Sequence, residues 1–320
     1  MKRIVSIGEA LIDMISNESN TEIKNSQSFR PCVGGAPLNV LGASAKLGVP
    51  SSIISMVGED NFGDKIEDYL DKNNIDKTYL KRTNKANTAL AFVSLKSDGA
   101  REFSFYRNPS SDMLLDKEDI TKDMFDNAYA LHFCSVDLIE APVKYATIKA
   151  IKYAKEMGAI ISFDPNLRFN LWSDHSKLNK TVKEFINYAD ILKISDEELE
   201  FITGHKDIND AKDYLFSKGV KLIIYTCGAN GAYALTPKFT THVSGIKVNA
   251  IDTTGAGDGF IGSFLANLAI NNENLEELSY EKTLKYLEFS NKFSAISTTK
   301  KGAIDSYLTM EEMRKVYDNI

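Results

Sequence analysis

The sequence predicts an α/β protein with an open, mostly parallel sheet, helices on both faces and a small β-sheet lid. Apolar runs of strand length alternate with amphipathic stretches of helix length along most of the 320 residues, which is typical of parallel sheets flanked by helices. The run at 221–226 is almost continuously apolar, as expected for a strand buried on both faces. Two β-rich stretches, at approximately 12–30 and 80–107, break this alternation. We therefore expect a single α/β domain over residues 1–320, with these two stretches as lid segments.

Hydrophobic periodicity and turn residues place the main elements. Gly48 ends the first predicted helix, because glycine readily adopts the conformation that follows a helix. Strands are predicted at 3–7, 52–57, 128–134, 159–163, 190–194 and 221–226. Helices are predicted at 37–47, 62–72, 143–157, 178–188, 197–202, 208–218, 256–270 and 280–298. Ligands of such sheets bind beyond the carboxyl ends of the strands, so we expect the site there.

The two β-rich stretches are too long and too regular in their alternation for plain loops. Each contains polar turns, such as the Ser97-Asp98-Gly99 turn between two alternating runs. A small sheet attached to the main domain is the preferred interpretation. The alternative is an antiparallel edge of the main sheet.

Composition excludes several classes of protein. The net charge is −6, and Lys and Arg are spread out among acids, which argues against a nucleic-acid partner. No run of about 18 apolar residues predicts a membrane span, and residues 1–8 read as a strand rather than a signal peptide. The three cysteines, Cys32, Cys134 and Cys227, form no CxxC pair. They predict free thiols in a reducing, cytoplasmic compartment.

The segment DTTGAGDGF at 252–260 carries the clearest chemistry. Its small residues allow close backbone approach to a ligand, and the helix that it opens presents unpaired N–H groups and partial positive charge. Asp258 is suited to accept a proton from a substrate hydroxyl, while the N–H groups of Gly255, Ala256 and Gly257 stabilise a transferring phosphoryl group. The alternative, that Asp258 only complements the helix dipole, is less consistent with the surrounding glycines and threonines.

Two other nucleotide motifs are disfavoured. Residues 257–262 match G-x-G-x-x-G, but a long helix and then a second helical pattern follow instead of the βαβ unit of a dinucleotide site. The P-loop pattern is absent from the sequence. The four histidines are scattered without metal-binding spacing, so we assign them no catalytic role.

The segment at 252–258 resembles the D-T-x-G-A-G-D motif of the ribokinase-like (PfkB-type) carbohydrate kinase family. The family's first motif is matched by GGAPLNV at 34–40 and onward to Gly48, and the resemblance includes GEALID at 8–13 and TTKKGA at 298–303. It covers essentially the whole chain. It implies a ribokinase-like fold and ATP- and Mg²⁺-dependent phosphorylation of a sugar hydroxyl.

Within the family the chain is most similar to fructokinases. GGAPLN at 34–39, YRNPSSDML at 106–114 and DPNLR at 164–168 followed by Leu171-Trp172 carry this finer resemblance. It implies phosphorylation of D-fructose to fructose 6-phosphate. Kinases for 2-keto-3-deoxygluconate share parts of these stretches, and kinases for ribose or nucleosides stay as alternatives. An alternative of another class is a non-catalytic sugar or nucleotide sensor.

The resemblance also implies ligand-binding residues. Those implied for the sugar side are Asp13, Gly34, Gly35, Asn39, Arg107, Asn166 and Arg168. Those implied for ATP are Lys193, Ser195, Thr226, Gly228, Gly231 and Asn291. Alternatives are open for three of these side chains, namely a helix-surface amide at Asn39, a solvated lid cation at Arg107 and a structural ion pair at Arg168.

Metal ions and assembly follow from the same resemblance. The family's N-x-x-E motif corresponds to 195–198, where Ser195 replaces the asparagine, and Glu198 would hold Mg²⁺ mostly through water. A monovalent cation, usually K⁺, is implied beside the anion site, and its candidate ligands are Asp252, Thr254, Gly302 and Ser306. A homodimer through the lid is plausible within the family.

Overall fold

A nine-stranded sheet forms the centre of the computed structural model, which describes residues 1–95 and 101–318. The thirteen strands of the described residues are β1 (Arg3–Ile7), β2 (Leu11–Ser19), β3 (Phe29–Gly34), β4 (Ser51–Gly58), β5 (Ile75–Thr83), β6 (Leu90–Leu95), β7 (Arg101–Tyr106), β8 (Ala128–Cys134), β9 (Ile160–Asp164), β10 (Ile191–Ser195), β11 (Leu222–Thr226), β12 (Gly231–Leu235) and β13 (Thr240–Ser244). The central order is β13-β12-β11-β10-β9-β8-β1-β4-β5, in which β12 pairs antiparallel with both β11 and β13 and the other neighbours pair parallel.

Helices cover both faces of this sheet, as the alternation predicts. They are α1 (Ala36–Lys46), α2 (Asn61–Lys72), α3 (Pro142–Glu156), α4 (His175–Ile186), α5 (Asp196–Thr203), α6 (Ile208–Ser217), α7 (Ala256–Ile270), α8 (Tyr280–Ser297) and α9 (Met310–Asp318). Ile4 of β1 packs in the core formed with α1, α7 and α8, and the next residue, Val5, packs in the core formed with α3 to α6. Consecutive strand residues therefore serve opposite cores, and the predicted fold class is confirmed.

A separate four-stranded sheet, the small sheet, has the order β3-β2-β6-β7. Both predicted β-rich stretches contribute to it. The second boundary is wrong at its start, since residues 80–83 belong to β5 at the edge of the central sheet, and the small sheet resumes at Leu90. Tyr79 and Leu80 pack into opposite cores, which holds β5 in the central sheet. The predicted turn at 97–99 lies outside the described residues.

Two further elements were not predicted, the hairpin of β12 and β13 and the final helix α9. Gly231 begins β12 at a φ of 105°, a value that glycine adopts readily. Both strands have only five residues, which is too short for a clear periodic pattern in the sequence. No described helix is both long and apolar enough to cross a bilayer, and the three cysteines are free thiols.

The carboxyl ends of the parallel strands meet along one edge, where ligands of such sheets bind. Asp164 ends β9, Ser195 ends β10 and Thr226 ends β11. The N-terminus of α7 begins at Ala256, and its Gly257 approaches the Lys193 side chain of β10. The topology therefore brings residues of distant segments to one place.

Candidate active site

The loop before α7 is shaped by the side chain of Asp252. Its Oδ1 accepts hydrogen bonds from Thr254 N at 2.9 Å and Thr254 Oγ1 at 2.6 Å, and its Oδ2 accepts from Gly302 N at 2.9 Å. Gly255 then adopts a left-handed φ of 73° and caps α7, a conformation that favours glycine. Ala256 N donates to Thr253 O at 3.2 Å. Of the three N–H groups predicted to face a phosphate, that of Ala256 is thus engaged within the turn.

Asp258 lies in the first turn of α7 and is 8% exposed. Its Oδ2 accepts from Asn39 Nδ2 at 2.9 Å, and its Oδ1 accepts from Asn166 Nδ2 at 3.2 Å. Each carboxylate oxygen therefore has an amide donor from a different part of the chain. Hydrogen bonds to a carboxylate favour its charged form.

Local backbone geometry positions the two asparagines. Asn39 is in the first turn of α1, whose cap residue Gly35 has a φ of 112°. A Cβ at Gly35 would overlap the carbonyl oxygen of Glu9. Asn166 follows β9 at a positive φ of 43°, which asparagine tolerates better than most residues. Both predicted amides are thus brought to Asp258, and Asn39 is 5% exposed rather than a surface amide.

Asp13 and Gly34 are neighbours on paired strands of the small sheet. Leu11 pairs with Gly34 and Asp13 pairs with Cys32, so both residues lie near the same end of the sheet. A Cβ at Gly34 would overlap Asp13 Oδ2. Only glycine leaves room for this carboxylate. Asp13 itself is partly exposed, as a ligand-binding side chain requires.

A buried ion pair lies beside the N-terminus of α7. Lys193 Nζ is 3.1 Å from Asp164 Oδ2, and a Cβ at Gly257 would be 3.3 Å from the same nitrogen. Burial raises the pKa of Asp164 to about 7, against the opposing effect of Lys193. Burial disfavours the charge of Lys193, but Asp164, Glu198 and Asp258 together hold its pKa above the usual range. Lys193 is therefore a cation next to the α7 loop, and the partnership with Asp164 was not predicted.

Glu198 lies in the first turn of α5 and is 8% exposed. Its Oε2 accepts from Ser195 N and Ser195 Oγ, each at 3.0 Å, which forms a capping box. Its Oε1 accepts from Leu167 N at 2.8 Å. A serine in place of the family's asparagine is thus an effective helix cap, and the carboxylate keeps further lone pairs for water.

A cavity of about 740 Å³ opens beside the α7 N-terminus. It is large enough for a cofactor-sized ligand. All six residues predicted for ATP line it, together with Ala256 and Gly257. Asn291 of α8 also donates to Ser244 O at 2.9 Å, which ties this wall to the end of β13.

Sequence reasoning missed two parts of this cavity. One is the segment after β13, with Gly245, Ile246, Lys247, Val248 and Ala250. The other is the face of α8 formed by Ser294, Ala295 and Thr298. The second had a usable signal, because these residues follow Asn291 at positions +3, +4 and +7 of one helix. The first is irregular backbone without a distinctive motif.

The two arginines predicted for the sugar side, Arg107 and Arg168, contact other groups of the protein. The Arg107 side chain is 1% exposed and pairs with Asp112 and Asp137, so it is a buried ion-pair member and not a solvated cation. The Arg168 guanidinium lies 5.6 Å from the ring centroid of Phe103 on the small sheet, and its Nη1 donates to Leu167 O at 3.0 Å. Among the described contacts, Arg168 has no carboxylate partner.

The candidate K⁺ ligands divide into two groups. Asp252, Thr254 and Gly302 come together through the hydrogen bonds of Asp252 described above. Ser306 instead donates its hydroxyl to Ala303 O at 2.7 Å within its own turn.

Comparisons with known proteins match nearly the whole chain. The family model described as "pfkB family carbohydrate kinase" matches residues 1–310. The probable fructokinase-2 of Arabidopsis thaliana is 42% identical over 307 residues, covering 96% of this chain and 93% of that protein.

Solved structures add the same likeness in three dimensions. The fructokinase of Xylella fastidiosa with bound ATP has a TM-score of 0.89 and 31% identity, covering 100% of this chain and 99% of that chain. A double mutant of the fructokinase of Vibrio cholerae O395, in a form with fructose, ADP and potassium ion bound, has a TM-score of 0.87 and 33% identity, covering 98% of both chains. Sequence and fold thus agree, and the chain belongs to the pfkB family of carbohydrate kinases.

Proposed function

We propose that this protein transfers the γ-phosphoryl group of ATP to the 6-hydroxyl of D-fructose, with Asp258 as the base. The observation that carries the proposal is the position of the Asp258 carboxylate. It is held by Asn39 and Asn166 beside the cavity whose wall includes Gly257. The names of the relatives support fructose as the acceptor.

Asp258 would accept the proton of the attacking hydroxyl. Amide donors on both oxygens favour the ionised form of this carboxylate and restrict its rotation. General-base catalysis of this kind contributes about 10²–10⁴-fold in rate. The reaction is then an in-line displacement at phosphorus, in which the protein mainly positions the reactants and stabilises charge.

The charge on the transferring phosphoryl group would be stabilised by the first-turn N–H groups of α7 and by Lys193, whose ammonium lies next to Gly257. The ordered capping box around Glu198 fits an outer-sphere role. Mg²⁺ held through water by Glu198 would neutralise charge on the nucleotide phosphates. We also propose a K⁺ site formed by Asp252, Thr254, Gly302 and Ser306, of which the first three already lie together.

The sugar would bind between the small sheet and Asp258. Asp13, Gly34 and Gly35 offer a carboxylate and close backbone approach to hydroxyl groups. Asn39 Oδ1 is buried, and no group of the described residues donates to it. An orphaned buried acceptor costs about 1–3 kcal/mol, and a sugar hydroxyl would satisfy it. The small sheet would act as a lid that keeps water, a competing nucleophile, away from the phosphoryl group.

The test combines one variant with a panel of acceptors. Asp258→Asn keeps the shape of the side chain, and we expect it to lower kcat by about 10² or more with little change in KM. Release of ADP is measured with fructose, 2-keto-3-deoxygluconate, ribose and a nucleoside, with and without K⁺. Near-normal turnover by Asp258→Asn would refute the assignment of the base. Binding of ATP and sugar without ADP release would favour a sensor.

Two further expectations belong to this proposal. The free thiols of Cys32, Cys134 and Cys227 support a cytoplasmic location. A homodimer through the small sheet stays a prediction, which the mass in solution would test.

A further inference from the structure

Two side-chain hydroxyl groups donate hydrogen bonds to carbonyl groups at the N-terminus of α7. Tyr307 donates its hydroxyl to Gly255 O at 2.7 Å. Ser294 of α8 donates its hydroxyl to Ala256 O at 2.8 Å. Two successive carbonyl groups of the loop are therefore each held by a side chain from a different, later segment.

The planarity of the peptide group gives these contacts a consequence. In a trans peptide the carbonyl of one residue and the N–H of the next lie in one plane and point in opposite directions. A bond to Gly255 O thus fixes the direction of the Ala256 N–H, and a bond to Ala256 O fixes that of the Gly257 N–H. Gly257 lines the nucleotide cavity. The Ser294 hydroxyl thus orients the Gly257 N–H, which would face a transferring phosphate. The Tyr307 hydroxyl holds the preceding peptide, whose Ala256 N–H donates to Thr253 O within the turn.

Tyr307 fits closely behind the loop and is 3% exposed. A Cβ at Gly255 would be 2.6 Å from Tyr307 Oη, and a Cβ at Gly259 would be 2.9 Å from Tyr307 Cε1. The ring also lies 5.4 Å, between centroids, from that of Phe293 on α8. Gly255 and Gly259 thus leave the room that the tyrosine ring occupies.

The Tyr307 hydroxyl can act only as a donor to this carbonyl. Burial raises its pKa well above the usual value, and the nearby Asp258 raises it further. The hydroxyl therefore stays protonated throughout the working pH range, and the loop does not lose this contact by titration.

We propose that Tyr307, assisted by Ser294, is a positioning residue that holds the α7 loop in the orientation that stabilises the transition state. This inference rests on the proposed function, in which the same loop stabilises the transferring phosphoryl group. It assigns Tyr307 no contact with substrate. Its contribution should therefore appear in turnover and not in ground-state binding.

Tyr307→Phe removes one oxygen atom and is the primary test. Its matched control is Tyr129→Phe, because Tyr129 is also 3% exposed and donates to a backbone carbonyl, Glu273 O, at 2.8 Å. Both variants should lose similar thermal stability. Only Tyr307→Phe should lower kcat, by about 10-fold, with KM for ATP and fructose changed less than about 2-fold.

A second measurement is the affinity for a transition-state mimic, ADP with aluminium fluoride in the presence of fructose. If Tyr307 had only a structural role, its substitution would not change this affinity. We expect Tyr307→Phe to weaken its binding by about the same factor as kcat, and to leave ADP alone unaffected. Equal kcat in Tyr307→Phe and Tyr129→Phe would overturn the inference.

Ser294→Ala keeps the test decisive if Tyr307→Phe does not fold. It should also lower kcat and weaken binding of the mimic, and normal values for both would overturn the inference. Asp258→Asn distinguishes failure of the proposed function from failure of the positioning role. If Asp258→Asn turns over normally, the proposed function fails. If Asp258→Asn is inactive while Tyr307→Phe turns over normally, only the positioning role fails.

Discussion

Asn39 Nδ2 lies 2.9 Å from Asp258 Oδ2, although the two residues are 219 positions apart in the chain. Asn166 donates to the other oxygen at 3.2 Å. Two amides from α1 and from the loop after β9 thus set the direction of the carboxylate and favour its charged form. A neutral donor is the right neighbour for a base that must stay ionised.

Asn39→Asp tests this relationship directly. A second carboxylate beside Asp258 raises the pKa of the pair, because two adjacent like charges disfavour each other. The base must be ionised to act, so the acid limb of the kcat profile should move to higher pH, by about one unit or more. The measurement is kcat from pH 5 to 9, in steps of about half a unit.

The control is Asn267→Asp, the same change on α7, the helix that carries Asp258, where the side chain donates only to Ser263 O in the described contacts. Its profile should match that of the unmodified protein. An unshifted acid limb in Asn39→Asp would show that residue 258 does not limit the rate through its charge.

Sequence patterns predicted the elements well because periodicity is a local property. Helix α7 was predicted with its observed bounds, Ala256–Ile270. The second predicted stretch of the small sheet begins too early, at residue 80, because the sequence of an edge strand such as β5 resembles that of any other strand. Local patterns carry no information on which sheet a strand joins.

Residues of the candidate site could be predicted from the sequence only where they belong to a recognised motif. The contact between Asp164 and Lys193 depends on two strand ends meeting, and the role of Tyr307 depends on the last part of the chain folding behind α7. Arg107 shows the same limit. Its partners Asp112 and Asp137 and its neighbour Glu9 come from separate segments, so their common burial follows from the tertiary fold alone.

Arg107→Met should strongly destabilise the protein. Burial raises the pKa of Asp137 to about 7 and that of Glu9 well above its usual value, and Arg107 opposes both shifts. Removing the cation leaves buried carboxylates without compensation. Losing one partner of a buried pair costs about 3–5 kcal/mol in the free energy of unfolding, which urea titration at pH 7.5 would measure.

The comparison variant is Arg82→Met. Arg82 also pairs with two carboxylates, Asp64 at 2.7 Å and Glu67 at 2.9 Å, but its side chain is 28% exposed. Surface pairs contribute about 0–1 kcal/mol, so this variant should lose far less. Similar losses in the two variants would mean that the Arg107 cluster is not a structural element, and a direct substrate role would regain weight.

Gly34→Ala should weaken sugar binding. The added Cβ would overlap Asp13 Oδ2 and force the carboxylate out of its place. We expect KM for fructose to rise by about 10-fold or more while KM for ATP changes less than about 2-fold. Steady-state kinetics with each substrate varied in turn provides the internal control. A parallel rise in both constants would indicate a general distortion of the site, and no rise would remove Asp13 from the sugar-binding set.

His132 predicts a specific pH dependence of stability. It is fully buried, and its Nδ1 lies 2.9 Å from Ser162 Oγ. Burial lowers its pKa from 6.5 to about 3, and the positive charge of Lys193 contributes in the same direction. Between these values the unfolded chain binds a proton that the folded protein excludes. The stability contributed by neutral His132 is therefore present above pH 6.5 and is lost as the pH falls, at about 1.4 kcal/mol per unit.

His132→Gln keeps polar groups near Ser162 but removes this titration. Asp137 and Asp164, whose pKa values burial raises, give the opposite trend, since their protonated forms favour the folded state at low pH. That trend is common to both proteins and cancels in the comparison. From pH 6.5 to 5 the unmodified protein should lose about 2 kcal/mol more than His132→Gln, and the same substitution at exposed His205 controls for the loss of a histidine. Parallel curves would mean that His132 becomes charged inside the folded protein, with Ser162 and Cys134 as its nearest polar partners.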